Sequence, residues 1–85
     1  MTEEEIIRRG AIAASLLTND DLQWFFDHLK QLTLEAISQT KPEQQEDRER
    51  LYNQFRSVDD VLGIMNSYVD AAKAIHEKNE STFDS

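Results

Sequence analysis

The stretch LYNQFRSVDDVLGIMNSYVDAAKAI, Leu51 to Ile75, decides the fold. Its apolar residues Leu51, Phe55, Val58, Leu62, Met65, Val69 and Ala72 alternate steps of four and three. That is the spacing by which an α-helix presents a continuous seam to a neighbour. Val61, Tyr68 and Ile75 add a flanking row at seven-residue intervals, so the apolar stripe is wider than a two-stranded seam requires.

Working outward from this segment, Thr40-Lys41-Pro42-Glu43 is the one clear turn upstream of it. Pro42 suits a first helical position, where its missing N–H costs nothing. Lys41, just before the proline, is biased away from helical angles. A third helix is therefore expected over 42–77, about 54 Å long at the α-helical rise. Ahead of the turn, Leu22, Phe25, Phe26, Leu29, Leu32 and Ile37 repeat at helical spacing. Thr18-Asn19-Asp20-Asp21 supplies a start signal, with Thr18 or Asn19 as N-cap and two aspartates in the first turn. This second helix is expected over 19–39, about 32 Å. The first helix is expected over 2–17. Thr2 and Glu5 fit a capping box, and Glu3, Glu4 and Glu5 suit the positive end of the helix dipole. Ile6, Ala13, Leu16 and Leu17 share one side of it. Gly10 has two readings: a close helix crossing, or a simple weak point costing about 1 kcal/mol relative to alanine.

These lengths give the expected architecture: an all-α fold, one helical domain over 1–77, built as a long helical hairpin with an extra N-terminal helix. It would be an elongated three-helix bundle and oligomeric. Residues 78–85 are expected to form a mobile polar tail carrying Phe83. The second helix leaves roughly 20 Å of the third helix's seam uncovered. The first helix, with Gly10, Ala11, Ala13 and Ala14 along it, offers little bulk to cover that stretch. The distal segment Met65, Tyr68, Val69, Ala72 and Ile75 is thus the expected contact between copies of the chain.

Composition bounds the function. A chain of 85 residues buries only about two-thirds of its unfolded surface and is marginal alone. It has no cysteine, which excludes disulfides and thiolate metal sites. Seventeen acids against nine Lys plus Arg give a formal charge of −8. That balance opposes direct binding to nucleic acid or to an anionic membrane. Arg8-Arg9 is the only adjacent basic pair, and it follows three glutamates. No apolar run approaches 18 residues, and the acidic start lacks the pattern of a secretory signal. The chain is therefore expected to remain in the compartment where it is made.

No residue pattern points to catalysis. His76 and Glu80 are four apart but supply two ligands where a stable site wants at least three. Asp27 and His28 are adjacent and so do not face each other on a helix, and no Glu-x-x-His motif occurs. None of the serines sits on a strand-to-helix elbow beside a base, and there is no glycine-rich phosphate loop. The expectation is a non-enzymatic protein without cofactor or metal.

Contact residues are the remaining candidates. Trp24-Phe25-Phe26 spans about 200° of helical arc, too much for one face. Phe25 and Phe26 are expected in the core. Trp24 either lies over a neighbouring helix or is an anchor for a partner, as tryptophan often is at interfaces. In the charged run Glu43 to Arg50, Glu46 and Arg50 can pair at i,i+4 on a solvated face. Alternatively, Arg48 or Arg50 reaches a neighbouring subunit.

One resemblance adds to this reading. Arg9-Gly10 followed by Ala14, Leu16 and Leu17, then Phe25 and Phe26, then Ala36 and Thr40 before Pro42, open a pattern. Arg48, Leu51, Tyr52, Val58, Val61, Leu62 and Lys73 continue it. Over residues 9–75 this resembles a family of short all-helical proteins of tailed phages and prophages. The matching positions are caps and seam residues. The resemblance implies an all-helical fold and a phage origin, in the host cell cytoplasm or in the virion, and transfers no active residue. Two functions are then open. One is a virion or head-assembly and DNA-packaging accessory component. The other is an acidic inhibitor of a host protein, of the anti-defence or DNA-mimic type. Partners would be further copies of the chain and another phage or host protein. A regulator holding a small ligand between subunits is a third reading.

Overall fold

A computed structural model describes the backbone of residues 1–84 and the side chains of residues 1–80. The chain is all-α: α1 Glu3–Leu17, α2 Asp20–Ser38 and α3 Gln45–Asp84, with no strand among the described residues. Thr2 caps α1, its hydroxyl accepting a hydrogen bond from Glu5 N–H at 3.2 Å. The chain breaks for only two residues before α2. Thr18 closes α1 by donating both its N–H and its hydroxyl to the Ala14 carbonyl. Asn19 is left at the N-cap position of α2.

The start of α3 differs from the sequence expectation. Pro42 and Glu43 are the central residues of a turn closed by Gln44 N–H donating to the Lys41 carbonyl at 2.9 Å. Proline fits the second position of such a turn as well as a first helical position. The Gln44 side chain holds the turn from the other side, accepting from Lys41 N–H at 2.8 Å. At its far end α3 continues through 78–80, beyond the expected stop near Glu77, to Asp84. The side chains from Ser81 onward, Phe83 included, lie outside the described residues, as does Ser85. The mobility expected of the tail falls partly on them.

Contacts divide the chain into two compact units, each using part of α3. In the unit formed by Met1–Asn19 and Leu62–Ser85, α1 runs antiparallel to the distal part of α3. Lys78 Nζ meets Glu3 Oε1 at 3.1 Å, and Gly10 lies against Tyr68 and Ala72. The close-crossing reading of Gly10 is therefore the one the structure supports. Among the described residues, Ala13 and Ala72 are the buried apolar side chains of this unit.

In the unit formed by Asp20–Val61, α2 and the proximal part of α3 make an antiparallel hairpin. Lys30 Nζ bonds Asp59 Oδ1 at 2.8 Å and stands 5.0 Å from the centre of the Phe55 ring. Thr33, 2% exposed, donates to the Leu29 carbonyl at 2.8 Å and accepts from Gln54 Nε2 at 3.3 Å. Val58 is the buried apolar residue here.

Across both units the seam Leu51, Phe55, Val58, Leu62, Met65, Val69 and Ala72 is half-buried or buried throughout. Its spacing does place it against α1 and α2. No large side chain is fully buried among the described residues.

Candidate functional site

The feature that stands out is the way α2 distributes its apolar residues. Two rows run along this helix at steps of three and four. Leu22, Phe26, Lys30, Thr33 and Ile37 are half-buried or buried, so this row faces α3. Phe25, Leu29, Leu32 and Ala36 form the second row, about 90° round the helix. Phe25 is 64%, Leu29 38% and Leu32 49% exposed; Ala36 is half-buried. The inner row holds a lysine and a threonine, whereas the outer row is wholly apolar. The hairpin thus buries the more polar of the two. A contiguous apolar row left in water is unusual for a monomer and marks a contact surface.

Phe25 was expected in the core and is not. The register of the hairpin explains the difference. The Lys30–Asp59 and Thr33–Gln54 bonds lie on the side of α2 that meets α3; in this register Phe26 is half-buried and Phe25 is exposed. The outer row was present in the sequence as a four-three-four spacing. Pooling it with the inner residues as one stripe concealed it.

The single-residue candidates fall as follows. Trp24 is 56% exposed, and its ring contacts are within its own helix. It meets Phe25 edge-on at 5.0 Å between centroids and stacks on His28 at 4.7 Å. The three rings make an aromatic patch beside the outer row. Arg48 acts locally. Its Nη1 donates to Thr40 Oγ1 at 3.2 Å and to the Lys41 carbonyl at 3.3 Å, tying α3 to the turn. It also lines a shallow cleft with Ile37, Glu49, Tyr52 and Asn53. Arg50 is exposed and pairs with Asp47 at 3.6 Å rather than with Glu46.

The distal residues Met65, Tyr68, Val69 and Ile75 are half-buried and Ala72 is buried. Within that unit α1 supplies cover through its small residues, Gly10 lying against Ala72. Ile12, Leu16 and Ile64 remain exposed. His76 and Glu80 line a cleft with Ile7, Ala11, Ala14 and Lys73. No group of three or more His, Cys, Asp or Glu stands together among the described residues. No described helix is long and apolar enough to cross a membrane.

No family model, curated protein or solved structure matches the chain.

Proposed function

We propose that this chain is a non-enzymatic, phage-encoded protein that works by contact with other protein chains, as a virion or head-assembly accessory component. The observation that carries the reading is the imbalance between what the helices bury and what they leave out. Among the described residues three small apolar side chains, Ala13, Val58 and Ala72, are buried, while Phe25, Leu32, Trp24 and Ile64 are about half exposed or more. An apolar surface of this kind is stable in solution when another chain covers it. The resemblance to short helical phage proteins implies a phage origin, and the long seam and short marginal core favour the virion role, where a small chain present in many copies finds its missing cover in the assembly.

The formal charge of −8 favours a second reading, an acidic inhibitor docking on a basic surface of a host protein. Against it, Glu3, Asp47 and Asp59 each have a basic partner in Lys78, Arg50 and Lys30, which breaks up a purely anionic face. Mass spectrometry of purified particles from the source phage separates the two. Stoichiometric presence supports the virion component. Absence from particles, with abundant early expression, rejects it in favour of the inhibitor.

A further inference from the structure

We infer that the solvent-facing side of α2 is the docking face for a basic amphipathic helix of a different protein. That helix lays its apolar residues on the outer row and its lysines or arginines along an acidic strip beside it. This rests on the contact-protein reading only for its premise that the exposed apolar row meets protein. Particle composition and peptide binding are read on different samples, so either can fail without the other.

The strip runs through Trp24, on the side of α2 opposite the row that faces α3. At about 100° per residue, Asp20, Asp21, Asp27, His28, Gln31 and Glu35 all lie within about 60° of Trp24. All six are exposed. Four are carboxylates, and none is a lysine or arginine. The outer row borders the strip along one side, about 80–140° from Trp24. Acidic strip and apolar row thus share one open face of one helix, within a single compact unit.

Helix stability accounts for only half of these acids. Asp20 and Asp21 stand in the first turn of α2, where carboxylates suit the positive end of the dipole. Asp27 is mid-helix and gains nothing from it. Glu35 is in the last turn, which holds no basic residue, and a carboxylate there opposes the dipole. Nor does the chain neutralise them. Among the described residues Asp20, Asp21 and Asp27 form no ion pair, and the Glu35 carboxylate meets the Gln31 amide at 3.4 Å rather than a cation.

These charges specify the chemistry of the occupant. A second copy carries the same −8, and antiparallel pairing of two such faces sets strip against strip, acid against acid. Nucleic acid and anionic lipid are repelled in the same way. A cationic amphipathic helix matches both halves of the face. Its apolar stripe covers the outer row, and a lysine or arginine that reaches the strip meets carboxylates beside the ring of Trp24, on which a guanidinium also stacks.

Trp24 is the only tryptophan of the chain and is 56% exposed, so its fluorescence reports this face directly. The full chain is titrated with a synthetic amphipathic helix of leucine and lysine, as long as α2, and with the same peptide carrying glutamate in place of lysine. The expected result is a saturable shift of Trp24 emission to shorter wavelength with the lysine peptide, weakened by added salt, and none with the glutamate peptide. Asp27→Asn with Glu35→Gln should weaken binding about tenfold and leave the helical signal unchanged, since neither carboxylate supports α2. Asp60→Asn with Asp70→Asn removes the same charge from α3 and should leave the affinity as it is. Equal weakening by the two double variants reduces the attraction to net charge and overturns the inference. So does the absence of any shift, or equal binding of the glutamate peptide. A Trp24 shift on concentrating the protein alone, with a doubled mass in sedimentation, gives the face to a second copy and overturns it too.

Discussion

Gly10 and Ala72 meet so closely that a Cβ built on Gly10 would stand 2.5 Å from the Cβ of Ala72 and 2.8 Å from the carbonyl oxygen of Tyr68. The second of these is backbone and cannot swing aside. A helix-favouring substitution at this position is therefore expected to do harm. Alanine would gain about 1 kcal/mol of helical propensity, but overpacking a helix crossing costs about 1–3 kcal/mol. Gly10→Ala should lower stability on balance. Gly63 is the internal control, since a Cβ there meets nothing within 4 Å. Gly63→Ala should raise stability by about 1 kcal/mol. Thermal melts followed by far-UV circular dichroism read both. If the two variants shift the midpoint in the same direction, the close crossing is wrong.

Arg48 joins the start of α3 to the turn through Thr40 Oγ1 and the Lys41 carbonyl. These are bonds from a charged donor, only partly shielded from water, so Arg48→Ala should cost about 1 kcal/mol. Arg48→Lys should recover little, because one ammonium replaces a planar fork of donors. Urea unfolding measures the difference. A variant as stable as the parent would mean that Arg48 does not hold the turn.

Thr33 is a polar residue in the tightest part of the hairpin, with both of its hydroxyl bonds made inside the chain. Removing the methyl and hydroxyl together in Thr33→Ala should cost about 1–2 kcal/mol, from the small cavity and the lost bonds. Thr33→Val keeps the volume and loses only the hydroxyl. Its cost should be below about 1 kcal/mol, since Gln54 can turn to water. Equal losses in the two variants would show that packing at this position does not matter.

How much of this was legible from sequence differs by element. The three helices and the α3 seam follow from periodicity, because only two glycines and one proline interrupt the chain. The Thr2 cap was equally plain, its hydroxyl standing three residues from the N–H it accepts. The inward face of α2 was not. Leu22, Phe25, Phe26, Leu29, Leu32 and Ile37 spread over about 140° of the helix, wider than the face one neighbour covers, and hydrophobicity gives no rank among them. The inner row includes two residues with polar contacts to α3, Lys30 with Asp59 and Thr33 with Gln54, and apolar patterning passes over such residues. The same holds at the ends of α3. Pro42 satisfies a turn as readily as a helix start, and the Lys78–Glu3 pair lies beyond the point where the apolar repeat stops.

Two neighbours on α3 give the sharpest test of which face is covered. Leu62 sits in the seam and is half-buried, whereas Ile64, two residues on, is 60% exposed. They lie within one turn of the same helix, so their distances from the helix ends are nearly matched. Aspartate at either position has the same intrinsic cost in a helix. The difference between Leu62→Asp and Ile64→Asp therefore reports burial, apart from the few tenths of a kcal/mol by which Leu and Ile differ in helix propensity. At Leu62 the carboxylate would have to sit between Val58 and Met65 in the seam. An unpaired charge taken from water there should cost about 3 kcal/mol or more. At Ile64 the carboxylate stays in water, and the loss should be within about 0.5 kcal/mol beyond propensity. A chain of this size has little stability to spare, so Leu62→Asp should be largely unfolded at 25 °C while Ile64→Asp keeps its helical signal. Circular dichroism at matched concentration decides it. Equal loss of helix in the two variants would mean that α3 has no distinct covered face, and the assignment of the seam would fall.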